Sequence, residues 1–259
     1  MSTSPQKVAI VTGGATGIGR AIAQALVANG TAVLIAGRDQ QRGEAAAAEL
    51  GGNTLFVPAD VSQESDVQRL VATAVDRYGR LDYLINNAGV EGGMGGFEGT
   101  EAALIDSVLS VNVKGVFLAI KHAAPVMVRQ QNGVIINIGS FVGTTNPIPQ
   151  AAIYGASKAA VLSLTRAAAA GYADQHLRVY AVCPWMTDTP MADRQTDSDA
   201  TAKAGYAAAI NPSKQLVTPE DLAQATVDLL EGHTQLPNGE AILVDHASAL
   251  SQIVPMTVA

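Results

Sequence analysis

Seven short apolar runs punctuate the chain, at residues 8–12, 32–36, 54–60, 81–86, 133–140, 177–184 and 240–245. Most are continuous rather than alternating, and several are rich in Val and Ile. Such runs suit strands buried on both faces of a parallel sheet. Between them lie stretches of helical period, at 18–29, 40–50, 64–78, 101–131, 154–174 and 219–231. The stretch 101–131 is long enough for two helices or one bent helix. Gly30 and Gly51 stand where helix ends are expected, and Thr218-Pro219-Glu220-Asp221 is a strong helix start. Strand–helix alternation along the whole chain predicts an α/β fold. It is a Rossmann-type doubly wound parallel sheet of about seven strands, with helices on both faces and right-handed crossovers, in a single domain over 1–259. Residues 187–212 break the pattern: they carry small and polar side chains and no strand signal. Their length marks a functional loop, predicted as a mobile lid over a substrate.

Composition narrows the function classes. Hydrophobic residues make up 48% and charged residues 15%, which gives a sizeable core and excludes disorder. Aromatics are 4%, so Ala, Val, Leu and Ile must build that core. A net charge of -7 with no basic run argues against nucleic acid or an anionic membrane as partner. The single cysteine, Cys183, excludes an intrachain disulfide and a thiolate cluster, and is expected as a buried apolar residue. His122, His176, His233 and His246 have no ligand spacing, so no metal is expected. The N-terminus lacks a signal-peptide pattern, and no apolar run reaches the ~18 residues of a membrane span. The expected location is the cytoplasm.

The first run ends in TGGATGIG, residues 12–19, and a helix follows. Gly13 can make the tight turn. Gly17 and Gly19 let the backbone approach a pyrophosphate, whose charge then meets the free N–H groups of the helix start. About 20 residues on, the second run ends in Gly37-Arg38-Asp39. A carboxylate at the strand end would hold a ribose 2′-hydroxyl and favour NAD. Here Gly37 takes that place, and the Arg38 guanidinium can pair a 2′-phosphate, which favours NADP(H). NAD(H) stays open, because Asp39 can still serve a ribose hydroxyl.

Tyr154 and Lys158 lie four apart at a helix start, on one face. An isolated tyrosine is a poor base at neutral pH. A nearby ammonium and a cationic nicotinamide would lower its pKa and let it exchange a proton with a substrate oxygen. Ser140, closing the preceding strand, could donate to the same oxygen.

These motifs occur in one order: TGGATGIG, Asp60-Val61, NNAG at 86–89, Asn112, Ser140 and YGASK at 154–158. In that order and spacing, over nearly the whole chain, the sequence resembles the compact, single-domain branch of the short-chain dehydrogenase/reductase family. The resemblance implies hydride transfer between a nicotinamide and a secondary alcohol or ketone. It implies Tyr154 as general acid/base, Lys158 on the nicotinamide ribose, Ser140 on the substrate oxygen, and Asn112 holding a relay water. It implies a cofactor shell of Gly13, Ala15, Thr16, Gly17, Ile18 and Gly19 at the phosphates. Arg38, Asp60 and Val61 would lie at the adenosine end, with Asn87, Ala88 and Gly89 at the central sheet. Pro184, Thr187 and Thr189 would sit beside the nicotinamide. A small-molecule substrate and a homotetramer are the expected partners. A cofactor-binding regulator that senses nicotinamide redox state is the other reading.

Two positions depart from the family pattern. Trp185 follows Pro184 where the family usually has glycine, and its indole either walls the cleft or packs outward under the lid. His246-Ala247 stands in place of a Gly-Gly pair that tends to lie at a subunit interface. The substrate pocket should draw on residues 141–150, 90–97 and the lid. Pro147, Ile148 and Pro149 suggest an apolar wall, and Arg194 and Lys203 are the basic residues of the lid.

Overall fold

The computed structural model describes residues 6–144 and 146–246 in full, and the backbone of 252–253. The first half of the chain contains β1 (Val8–Thr12), α1 (Gly17–Ala28), β2 (Ala32–Gly37), α2 (Gln40–Leu50), β3 (Thr54–Pro58), α3 (Glu64–Tyr78) and β4 (Tyr83–Asn86). Then come α4 (Ala102–Leu109), α5 (Gly115–Arg129), β5 (Gly133–Ile138), α6 (Ala152–Gly171) and β6 (Leu177–Pro184). The C-terminal part holds α7 (Pro190–Gln195), α8 (Ala200–Ile210), α9 (Pro219–Glu231), β7 (Ala241–Val244) and β8 (Gln252–Ile253).

The sheet order is β3-β2-β1-β4-β5-β6-β7-β8. β1 to β7 are parallel, as the continuous apolar runs predict, and the two-residue β8 adds an antiparallel edge on β7. Alternate strand residues bury on opposite faces. On one side Ile10, Leu34, Leu84 and Ile135 meet Leu70 of α3 and Met127 of α5. On the other Val11, Ile35, Ile85 and Ile136 meet Leu26 of α1 and Leu222 and Leu229 of α9. The strand order reverses between β1 and β4, and the carboxyl ends on either side of that point open into a crevice, the usual ligand site of such sheets.

The predicted long helix is continuous from α4 to α5, through one wide π-helical turn at Ser110–Lys114. That turn carries Asn112 inward, where it is buried; single turns of this kind often mark functional positions. The expectation that no segment is long and apolar enough to span a membrane needs correction. Residues Ala102–Arg129 pass that test by length and composition, with a mean hydropathy of 1.7. Lys114 and Lys121 interrupt the run, which is why counting uninterrupted apolar residues missed it. In the fold this helix packs on α3, α6 and the central strands.

The lid also needs correction. Residues 187–212 are not a loop but mostly two helices, α7 and α8. Thr189 caps α7 with Pro190 at its first position, and the Asp199 carboxylate accepts from the N–H groups of Thr201 and Ala202 to cap α8. Both ends of the excursion are tied. Asn211 exchanges hydrogen bonds with the backbone of Met186, and Thr187 bridges to Val217. Asp245, at the end of β7, accepts from the N–H and hydroxyl of Ser213 and holds the exit loop down.

Candidate active site

The β1–α1 turn is shaped by close approach. Gly13 has φ +66, and a Cβ there would come within 2.8 Å of Asn87 Nδ2. A Cβ on Gly19 would collide with Gly13 O and Asn87 Nδ2. Asn87 Nδ2 donates to Thr12 O at 2.9 Å, while the N–H groups of Asn87 and Ala88 both donate to Thr12 Oγ1 at 3.0 Å. The turn and the end of β4 are thereby locked together. The helix start beyond is open: Thr16 makes no side-chain cap, and no acidic residue lies in the first turn of α1. Free N–H groups at the positive end of a helix fit a phosphate. The residues therefore suit the pyrophosphate of a dinucleotide.

A cleft of about 300 Å³ runs from this turn along the carboxyl ends of β4, β5 and β6. Gly13, Thr16, Gly17 and Ile18 line one end; Asn87, Ala88 and Gly89 line the middle; Ser140, Tyr154 and Lys158 line the other. Pro184, Thr187 and Thr189 also line it, and Thr189 lies beside the glycine turn, where a Cβ on Gly17 would meet its Cγ2 at 3.5 Å. Ala15, Gly19, Arg38, Asp60, Val61 and Asn112 do not line it. Arg38 is exposed at the end of β2, with no side-chain partner among the described residues. Its neighbour Asp39 is occupied, capping α2 through the Arg42 N–H and pairing with the Arg42 guanidinium at 3.3 Å. Asp60 accepts from the N–H and hydroxyl of Ser62, and Val61 wedges against Gly115 at the start of α5.

The reacting end is assembled from four elements. Ser140 lies two residues beyond β5, in extended backbone. Tyr154 lies in the first turn of α6 and hydrogen-bonds Ser140 through its hydroxyl. Lys158, one turn on, is buried, and its Nζ donates to Ile138 O at 2.8 Å, 5.6 Å from the centre of the Tyr154 ring. Asn112 braces the group from below. Its Oδ1 accepts from Val90 N at 2.8 Å, and its Nδ2 donates to Val90 O at 2.8 Å and to Ser157 Oγ at 3.0 Å. Ser157 Oγ in turn donates to Tyr154 O. Both Nδ2 protons of Asn112 are thus committed.

Burial governs the charges here. It pushes the Tyr154 phenol up to about 12, with Glu91 and Cys183 adding to the rise and the Ser140 hydrogen bond opposing it. Burial pulls Lys158 down to about 8. The expected acidification of Tyr154 by Lys158 is therefore not a property of the protein alone. The ammonium is turned to Ile138 O, so desolvation of the phenolate outweighs its attraction. Cys183, also buried, is pushed up to about 12 and stays a thiol, as expected for a buried apolar residue.

The Lys158 shift has a measurable sign. The unfolded chain keeps the Lys158 proton up to its ordinary 10.5, whereas the fold releases it near about 8. Between those values the unfolded state binds more protons, so the fold gains stability as pH rises through that window. Lys158→Met removes the gain. The Tm of the native chain minus that of the variant, both without cofactor, should climb from pH 8 to 10.5; a flat difference would refute the assignment.

Several contributors lie outside the motifs, although Glu91, Phe141 and Arg194 fall in the segments expected to line the substrate pocket, 90–97, 141–150 and 187–212. Glu91 feels Tyr154 electrostatically and pairs with Arg194 Nε at 3.3 Å across the cleft mouth. Phe141 stacks on Trp185, and Ile138 holds Lys158 through a carbonyl any residue could offer. Trp185 keeps a negative φ and lines the cleft. His246 Nδ1 sits 3.3 Å from Asp221 Oδ2, and Ala247 lies outside the described residues.

Comparison with known proteins agrees with this geometry. The sequence profile described as short chain dehydrogenase matches residues 7–200. A 2,5-dichloro-2,5-cyclohexadiene-1,4-diol dehydrogenase of Sphingobium indicum is 36% identical over 95% of this chain and 98% of its own. A levodione reductase of Leifsonia aquatica is 32% identical over 92% of each chain. Among solved structures, a 3-ketoacyl-(acyl-carrier-protein) reductase from Brucella melitensis complexed with NADH superposes with a TM-score of 0.85. It is 32% identical, over 95% of this chain and 99% of that one. A levodione reductase structure superposes with a TM-score of 0.87 at 31% identity, over 94% and 97%. The chain belongs to the short-chain dehydrogenase family, oxidoreductases that act on alcohols and ketones.

Proposed function

We propose that the protein is an NADP(H)-preferring carbonyl reductase or alcohol dehydrogenase for secondary alcohols and ketones, with Tyr154 as its general acid/base. The observation that carries this reading is the convergence of Ser140, Tyr154 and Lys158 at one end of a cleft whose other end is a phosphate cradle. When bound, the nicotinamide supplies or accepts the hydride at its ring C4. Ser140 orients the substrate oxygen by hydrogen bonding. Tyr154 gives that oxygen a proton in reduction and takes it in oxidation. Its raised pKa keeps the phenol protonated at neutral pH, ready for reduction. Lys158, which here donates to Ile138 O, would hold the ribose hydroxyls of the cofactor, and its charge would favour the phenolate.

NADP preference rests on Arg38, exposed and uncommitted, beside an Asp39 already spent on its own helix. A homotetramer fits the exposed Leu104, Leu109 and Phe117 along α4 and α5. A cytoplasmic setting fits the single unpaired Cys183. The test is a panel of ketones and secondary alcohols run with both cofactors, read at the reduced-nicotinamide absorbance band. Turnover with higher kcat/KM for NADP(H) is expected. Tight cofactor binding without turnover of any compound would instead favour a redox-sensing regulator.

A further inference from the structure

Trp185 is the chain's only tryptophan. Its indole stacks on Phe141 with ring centroids 4.5 Å apart and planes 18° from parallel. The two rings come from the ends of neighbouring strands. Phe141 follows Ser140 directly, and Trp185 follows Pro184 at the end of β6. Behind them lie the buried Val142, Leu162, Cys183 and Leu243, so the pair cannot retreat when a ligand presses on it. Both rings line the cleft, and Met94, Ile148, Tyr206 and Ile210 extend the apolar surface.

Charge and size restrict the occupant further. Besides Lys158, the one basic residue among the described residues lining the cleft is Arg194, and Glu91 neutralises it. Lys203 is held outside the lining by Asp188 and Asp193. No spare cation meets a carboxylate, sulfonate or phosphate on the substrate. The cleft of about 300 Å³ includes the glycine turn, so the nicotinamide half of the cofactor would take up much of it. A compact ring fits what is left and arrives preorganised, whereas an open chain must be frozen to lie flat on the same wall.

We propose that the Trp185–Phe141 stack is the specificity-determining wall of the cleft, and that it selects uncharged alicyclic ketones and alcohols over open-chain or anionic ones. This rests on the reading that Tyr154 handles the proton of the substrate oxygen beside that wall.

The test compares the native chain with Trp185→Gly, Trp185→Phe and Phe141→Leu. The substrates are a methyl-substituted cyclohexanone, an open-chain ketone of equal carbon number and a 3-oxo acid. The native enzyme should prefer the cyclic ketone in kcat/KM by at least about tenfold, a scale set by pocket contacts of a few methylenes. Trp185→Gly should erase that preference, Trp185→Phe should retain most of it, and cofactor Kd should stay unchanged in both. Phe141→Leu, which keeps the volume but not the stack, should weaken the preference and guards against a glycine variant that fails to fold. A second arm needs no turnover: emission of the lone tryptophan, with oxidised cofactor bound, should be perturbed saturably by the cyclic ketone and more weakly by the open chain. An unchanged substrate ratio in Trp185→Gly, or a native preference for the 3-oxo acid, would overturn the proposal. If no ketone turns over, the assigned reaction falls. The emission arm still decides the wall, since no response to the ring would overturn it.

Discussion

Tyr154→Phe is expected to lower kcat about 10²–10⁴-fold, the range that a positioned acid/base supplies. Phenylalanine keeps the ring and its packing against the buried cluster that holds Phe141, Val142 and Leu162, so the fold and the cleft wall should survive. What disappears is the hydroxyl that would exchange a proton with the substrate oxygen. Cofactor Kd should change little, because the phosphate cradle is built by Gly13, Asn87 and the start of α1, at the other end of the cleft. Fluorescence titration of the cofactor alongside single-turnover rates separates the two effects. Intact turnover in the variant would remove Tyr154 from the chemistry.

Arg38→Asp is expected to reverse cofactor preference. A guanidinium on a phosphate is a charge-assisted pair, often bidentate, and its loss together with a new like-charge repulsion should lower the NADP-to-NAD ratio of kcat/KM by about 100-fold. The side chain is exposed, so the native preference should shrink as salt rises. Asp39 offers no substitute anchor while it caps α2. Initial rates with both cofactors at low and high ionic strength check this. A ratio that does not move would place 2′-phosphate recognition elsewhere.

The sheet was legible because its strands are buried on both faces. Runs such as 8–11 and 32–36 then carry no polar residue to blur them, and β1 and β2 lie where those runs stand. The candidate site was legible for a different reason. Ser140 and Tyr154 are brought together by the short path from β5 into α6, and a parallel sheet puts every such path on one side. The helices within 187–212 leave little periodic signal, because α8 is mostly alanine and small residues with almost no polar–apolar periodicity. The signals present, Thr189-Pro190 and Asp199, were capping signals rather than periodic ones. The π-helical turn left no trace either, since a wide turn is a matter of hydrogen-bond partners and not of residue type. The electrostatics at Tyr154 depend on how much water burial removes, and that belongs to the folded site and not to any short motif.

The stretch between Met186 and Val217 leaves and re-enters the molecule through a knotted doorway, with Asn211 clasping Met186 and Thr187 paired to Val217. Between those clasps, α8 touches the body of the molecule lightly enough to tolerate change. Its length and make-up can drift without dislodging β6 or α9, and the proton-handling groups on α6 stay where they are. New substrates can therefore be acquired by rewriting a roof while the hearth beneath it is left untouched.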